Sequence, residues 1–234
     1  MPGDAEGLLR IKGLRHYYRQ PGGSRQMALE LECLSAHRGE ALVVSGPSGS
    51  GKTTLLHILA ALIRPTEGEV IFEGQSLNDL GESASSWRAE SLGYVFQDMN
   101  LLPDFSILEN LMIAAEISNL PRGSALARAT FLLERLGLAD RKGSRPCKMS
   151  LGEQQRTAVA RAILHSPPLV LADEPTASLD AGNSGTVMNL LLELCKESHS
   201  LLIVATHDDS VKKGFSRFVE LEKPENNSFN GITP

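Results

Sequence analysis

Apolar and polar residues alternate through Leu8–His16 and again through Met27–His37, the two-residue period of strands that bury one face. The turn Arg38-Gly39-Glu40 leads into Ala41–Ser45, a short apolar run that reads as a buried strand. From Lys52 to Ile63 the spacing becomes helical, with Leu55, Leu56, Ile58, Leu59 and Leu62 recurring along it. Arg64-Pro65 stops that helix, because a residue before proline is steered out of the helical region. Glu69–Phe72 is a short strand. Three helices follow, Ile107–Ile117, Ala125–Leu136 and Ser150–His165, with Pro103, Pro121 and Pro146 between them. Strands return at Leu169–Ala172 and Leu201–Thr206, on either side of a helix at Asn183–Glu197. That strand–helix–strand unit calls for a parallel pair with a right-handed crossover. The order predicts an α/β fold, with a parallel core, an N-terminal β-rich part and an inserted helical part. The stretch after Lys223 (PENNSFNGITP) reads as disordered.

A chain of 234 residues suits one α/β domain, and 41% hydrophobic with 22% charged residues excludes a disordered chain. A net charge of −5 argues against a nucleic-acid footprint, which needs a basic face. Apolar stretches such as Leu190–Leu192 and Leu201–Ala205 fall far short of the roughly 20 residues that a bilayer span requires. The start, MPGDAEG, lacks a basic segment followed by an apolar run, so no secretory signal is expected. Cys33, Cys147 and Cys195 form no C-x-x-C pair, fit a reducing compartment, and are expected to fill the core.

Gly46-Pro47-Ser48-Gly49-Ser50-Gly51-Lys52-Thr53 has the spacing G-x-x-x-x-G-K-[S/T] and lies between a buried strand and a helix; Thr54 follows it. Triphosphate oxygens need several inward-pointing backbone N–H groups, and side chains there would obstruct the approach, hence the glycines. The helix starting near Lys52 offers its unpaired N–H groups and positive dipole end. The Lys52 ammonium would reach the outer phosphates, and the Thr53 hydroxyl could ligate Mg²⁺.

Leu169–Ala172 ends in Asp173-Glu174, two acids at the carboxyl edge of the sheet, where open α/β sheets bind ligands. Asp173 is placed to hold a metal, and Glu174 to act on an attacking water as general base or positioner. His207 follows another apolar strand and reaches the same edge, where a ring N–H could steady a transferring phosphoryl group.

Together with four further segments, this pattern resembles the ATP-binding cassettes of ABC transporters over roughly residues 8–222. Tyr94-Val95-Phe96-Gln97 resembles the segment carrying the family's Q-loop glutamine. Met149-Ser150-Leu151-Gly152-Glu153-Gln154-Gln155-Arg156 resembles its signature L-S-G-G-Q followed by Q-Q-R. Asp173-Glu174 is similar to the Walker B pair, Ser178-Leu179-Asp180 to the D-loop and Thr206-His207-Asp208 to the switch histidine. Tyr18, or alternatively Tyr17, stands where the family places an aromatic on adenine.

The resemblance implies a P-loop NTPase (RecA-like) parallel core, an N-terminal antiparallel β subdomain and a helical signature subdomain near 98–165. It implies ATP and Mg²⁺ as cofactors, with Thr53, Asp173 and Gln97 at the metal. It implies a head-to-tail homodimer in which Ser150, Gly152, Glu153 and Asp180 of one copy meet the nucleotide held by the other. It implies no nucleic-acid partner, but a separate integral-membrane permease, engaged through the helical insert and the region after Gln97, at the cytoplasmic face of the cell membrane. Leu101–Asn110 and Trp87-Arg88 resemble cassettes for lipoprotein release, macrolide export and the cell-division complex. Two functions therefore stand side by side: a transport ATPase subunit, or a regulatory cassette switching an enzyme outside the membrane. The signature departs from the family at Met149, Leu151 and Glu153. Leu151 is expected to weaken dimer closure or slow turnover, and Glu153 to add like charge near phosphate unless it points away.

Overall fold

The computed structural model describes residues 7–224 apart from Gly22, Ser178, Asp180 and Lys213. Two sheets share the scaffold. The first is antiparallel, in the order β2-β1-β4-β5, built from β1 (Leu9–Arg19), β2 (Arg25–Ala36), β4 (Glu67–Phe72) and β5 (Gln75–Ser76). The second is parallel, in the order β6-β7-β8-β3-β9, built from β3 (Ala41–Ser45), β6 (Leu92–Val95), β7 (Leu169–Asp173), β8 (Leu201–Ala205) and β9 (Arg217–Glu220).

Parallel strands covered on both faces must send apolar side chains both ways. Val43, Val170, Ala172, Leu202 and Val204 pack to one side, in a core shared with the helices α3 (Ile107–Ile117), α4 (Arg122–Arg135), α5 (Leu151–Ile163) and α6 (Ala181–Glu197). Leu42, Val44, Leu169, Leu171 and Ile203 pack to the other, against α1 (Lys52–Leu59) and the antiparallel sheet. Each such valine, leucine or isoleucine side chain, fully buried, contributes about 1.5–3 kcal/mol. The helices α3, α4 and α5 are interposed in the chain between β6 and β7, so the helical layer is an insertion into the parallel sheet.

Several expectations need correction. The first helix ends at Leu59 rather than Ile63, because the chain turns at Ala60 and Ala61 takes a left-handed φ of 50°. β1 runs on to Arg19, so Tyr17 and Tyr18 lie in a strand. Cys195 is buried, but Cys33 and Cys147 are exposed, so only one of the three cysteines fills the core. The periodicity gave no sign of α2 (Ala84–Ser91), α7 (Asp209–Lys212), β5, β6 or β9. The expected tail beyond Pro224 lies outside the described residues.

Candidate functional site

β3 delivers the glycine-rich loop and α1 carries it away. Gly46 has φ 151°, and a Cβ there would lie 2.4 Å from the Leu221 carbonyl and 2.6 Å from Ser50 Oγ. Gly51 has φ 93°, and a Cβ there would lie 2.3 Å from the Ala28 carbonyl. Only glycine closes the loop this tightly. α1 starts at Gly51 with no side-chain cap and no acid in its first turn, so its leading N–H groups remain for a ligand. Pro47, Ser48, Gly49 and Thr53 are exposed, while Ser50 and Thr54 are buried. Ser50 Oγ is buried without a hydrogen-bond partner among the described residues. Lys52 arches over the loop and donates from Nζ to the carbonyls of Gly46 (2.9 Å) and Pro47 (3.2 Å).

Strand register brings the other groups to the same edge. Val44 and Asp173 both pair with Ala205, and Ala172 pairs with Val95, so the carboxyl ends of β3, β8, β7 and β6 are level. Asp173 is buried, and its Oδ1 has no hydrogen-bond partner among the described residues. Burial pushes its carboxyl above the usual range, the neighbouring Glu174 charge adds to this, and a hydrogen bond from Thr53 opposes it. A hydroxyl paired with a buried carboxylate that has one oxygen unsatisfied is a donor set that suits Mg²⁺.

Glu174 takes a left-handed φ of 44° just beyond β7, with its N–H donating to the Ala205 carbonyl at 2.8 Å. This turn lays its carboxylate against the end of β8. Oε2 accepts from the Thr206 hydroxyl at 3.0 Å, and Oε1 lies 2.7 Å from His207 Nδ1. Glu174 is mostly buried, whereas the His207 ring is largely exposed. Gln97 is exposed two residues past the end of β6.

Tyr18 is 45% exposed and packs edge-on against His16, with ring centroids 4.7 Å apart. It pairs with Gln26, two residues from the Ala28 carbonyl that closes on Gly51, so the aromatic end of β1 flanks the loop.

The start of α5 forms a second cluster. Ser150 is its N-cap, and Glu153 completes a capping box: Glu153 N donates to Ser150 Oγ at 3.3 Å, and Ser150 N donates to Glu153 Oε2 at 2.9 Å. Glu153 therefore turns back onto the helix end. Its carboxyl is held below the usual range, first by the Ser150 N–H and then by the Arg141 charge. Gly152 is buried, and Leu151 is 53% exposed. Among the described residues, the hydrogen bonds and ion pairs of Ser150 and Glu153 reach Arg141 and not the phosphate loop. Asp180, expected at the nucleotide, lies outside the described residues.

Three features have no role assigned from the motifs. Thr206 was legible beside His207; its hydroxyl also accepts from Asp208 N at 3.0 Å. The capping box was legible as S-x-x-E. A groove of about 320 Å³ lined by Phe96, Leu102, Ile113, Ile117 and His165 had no signal, because separate elements assemble it.

The family described as ABC transporter matches residues 32–177 of this chain. Among curated relatives, the lipoprotein-releasing system ATP-binding protein LolD of Syntrophus aciditrophicus (strain SB) is 42% identical over 93% of this chain and 98% of its own length. The pyoverdine export ATP-binding/permease protein PvdT of Pseudomonas syringae pv. tomato is 41% identical over 92% of this chain, which spans 33% of PvdT. Among solved structures, the dimeric structure of MJ0796, a bacterial ABC transporter cassette, aligns with a TM-score of 0.84 at 33% identity, covering 96% of this chain and 100% of that one. A post-hydrolysis dimer of the same cassette bound to ADP and Pi aligns with a TM-score of 0.83 at 32% identity, again covering 96% of this chain and 100% of that one. No helix among the described residues is long and apolar enough to cross a membrane. The glycine-rich loop beneath Lys52, the acids ending β7, the family match and the fold likeness agree: this chain belongs to the ABC transporter family, as an ATP-binding cassette with the P-loop NTPase fold.

Proposed function

We propose that this chain is the ATP-hydrolysing subunit of an ABC transporter, closing on ATP as a head-to-tail homodimer and driving a separate membrane permease. The observation that carries this is the shared edge at which Lys52, Asp173 and the Glu174–His207 pair meet the uncapped start of α1.

Lys52 exchanges its two carbonyl partners for phosphate oxygens, a stronger charge-assisted contact. The loop N–H groups and Thr54 support the same phosphates, and Tyr18 stacks on the base. Thr53, Asp173 and Gln97 would hold Mg²⁺, which would supply positive charge to offset that of the phosphates. Glu174 takes the proton of the attacking water, and His207 fixes the Glu174 carboxylate and donates toward the transferring group. Ser150, the N–H groups at Leu151 and Gly152, Glu153's cap and Asp180 complete the site of the other copy. The homodimer follows the dimeric cassettes described above.

The release and export systems named among the relatives favour transport over regulatory switching. The match to LolD, named the ATP-binding protein of a lipoprotein-releasing system, supports a cassette that works with a membrane permease. The apolar groove beside Phe96 and Leu102, lined by residues that precede and follow Gln97 in the chain, is where we seat that permease, at the cytoplasmic face of the membrane. Residues 8–222 act as one cassette domain, with 98–165 as its signature-bearing part. The test is ATP-dependent phosphate release by the purified chain, with recovery of a multi-span membrane protein on tagged material. Absence of both saturable ATP binding and phosphate release overturns the proposal.

A further inference from the structure

Arg141 joins the signature cluster from outside its motif. Arg141 Nε donates to Glu153 Oε1 at 3.2 Å, while Glu153 Oε2 accepts from Ser150 N and lies 3.2 Å from the Ser150 hydroxyl. Glu153 is thus gripped at both oxygens. The segment carrying Arg141 is itself pinned. Arg141 N donates to the Leu138 carbonyl at 3.0 Å, and the Lys142 and Ser144 carbonyls accept from Leu108 and Ile107 at the first turn of α3.

On the reading above, the terminal phosphate of the partner's ATP comes against Ser150 and the N–H groups at Leu151 and Gly152. A carboxylate three residues away is a like charge beside that phosphate. A glutamine would make the same cap without the charge. The acid is tolerable there when a cation neutralises it and keeps it turned into the cap.

We propose that Arg141 is a positioning residue for ATP-driven pairing: by holding Glu153 in the helix cap and offsetting its charge, it keeps the start of α5 attractive to the partner's phosphate. The role rests on the reading of Ser150 as a site acting across the dimer. It acts through Glu153, so its removal should matter only while Glu153 is charged.

The experiment measures the ATP concentration giving half-maximal dimer, by light scattering after gel filtration, in the Glu174→Gln background. Arg141→Ala should raise that concentration roughly fivefold, the scale of a half-exposed ion pair. Arg141→Gln, which keeps the side chain's length and loses its charge, should do the same and serves if the alanine variant does not fold. Arg141→Ala combined with Glu153→Gln should return to the level of Glu153→Gln alone. An unchanged midpoint in both Arg141 variants, or an equal loss with and without Glu153→Gln, overturns the proposal. If the Glu174→Gln parent itself forms no ATP-dependent dimer, the reading of Ser150 fails first and the role of Arg141 falls with it.

Discussion

His207 Nδ1 lies 2.7 Å from Glu174 Oε1, and the Thr206 hydroxyl holds the other oxygen of the same carboxylate at 3.0 Å. Two neighbouring residues at the end of one strand thus fix an acid at the end of the next. A carboxylate held at both oxygens has one orientation, which is what the proposed base needs to meet a water.

Replacing that acid tests its role directly. Glu174→Gln keeps the shape and removes the base, so turnover should fall by about 10²–10⁴-fold, the usual contribution of a positioned proton acceptor. ATP binding should survive and a dimer accumulate. Phosphate release and gel filtration with ATP and Mg²⁺ measure the two halves, and a monomer alone would count against the assignment.

His207→Ala frees Oε1 while leaving the Thr206 bond. Turnover should drop by about 10²-fold, the lower end of the range for one lost transition-state donor. The His207 ring is largely exposed, so the melting temperature should hold. Unchanged turnover would show that Thr206 suffices to orient Glu174.

Lys52→Ala should weaken ATP binding by roughly 10–150-fold, the worth of a charge-assisted contact of about 1.5–3 kcal/mol. Titration calorimetry reads this directly. An unaltered affinity would mean that the ammonium stays on the Gly46 and Pro47 carbonyls when nucleotide binds.

Leu151→Gly removes a side chain that is 53% exposed at the first position of α5, so no core contact is lost. The glycine costs about 1 kcal/mol or less of helix stability at most. ATP turnover should rise if, as proposed, the start of α5 meets the other copy, because an apolar side chain no longer stands there. A fall in turnover would show that Leu151 is fitted to the partner surface.

Gly93→Ala should destabilise the fold far from the phosphates. An added Cβ in β6 would lie 2.1 Å from the Ala162 carbonyl on α5, and neither backbone can retreat without parting sheet from helix. The cost is about 1–3 kcal/mol, read as a lower urea midpoint. An unmoved midpoint would mean that α5 shifts freely.

Gly93 also shows where reading from the chain runs out. Leu92–Val95 is four residues with a glycine inside, too short and too interrupted to announce a strand, yet it is an edge of the parallel sheet because α5 packs close on its backbone. Arg217–Glu220, the opposite edge, is half-exposed and reads as polar. From the chain alone Glu153 is a charge near phosphate unless it points away; its cap and Arg141 turn it onto the start of α5, and Arg141 lies twelve positions upstream.

The sequence by itself determined the phosphate loop, the strand ending in Asp173-Glu174 and the helical start at Ser150, since each depends on the spacing of residues within a few positions. Only the tertiary structure decided that β3, β7 and β8 lie side by side, that His207 grips Glu174, and that Arg141 answers Glu153. Those pairings depend on strand order and helix packing, which are set by how the whole chain buries its two apolar cores.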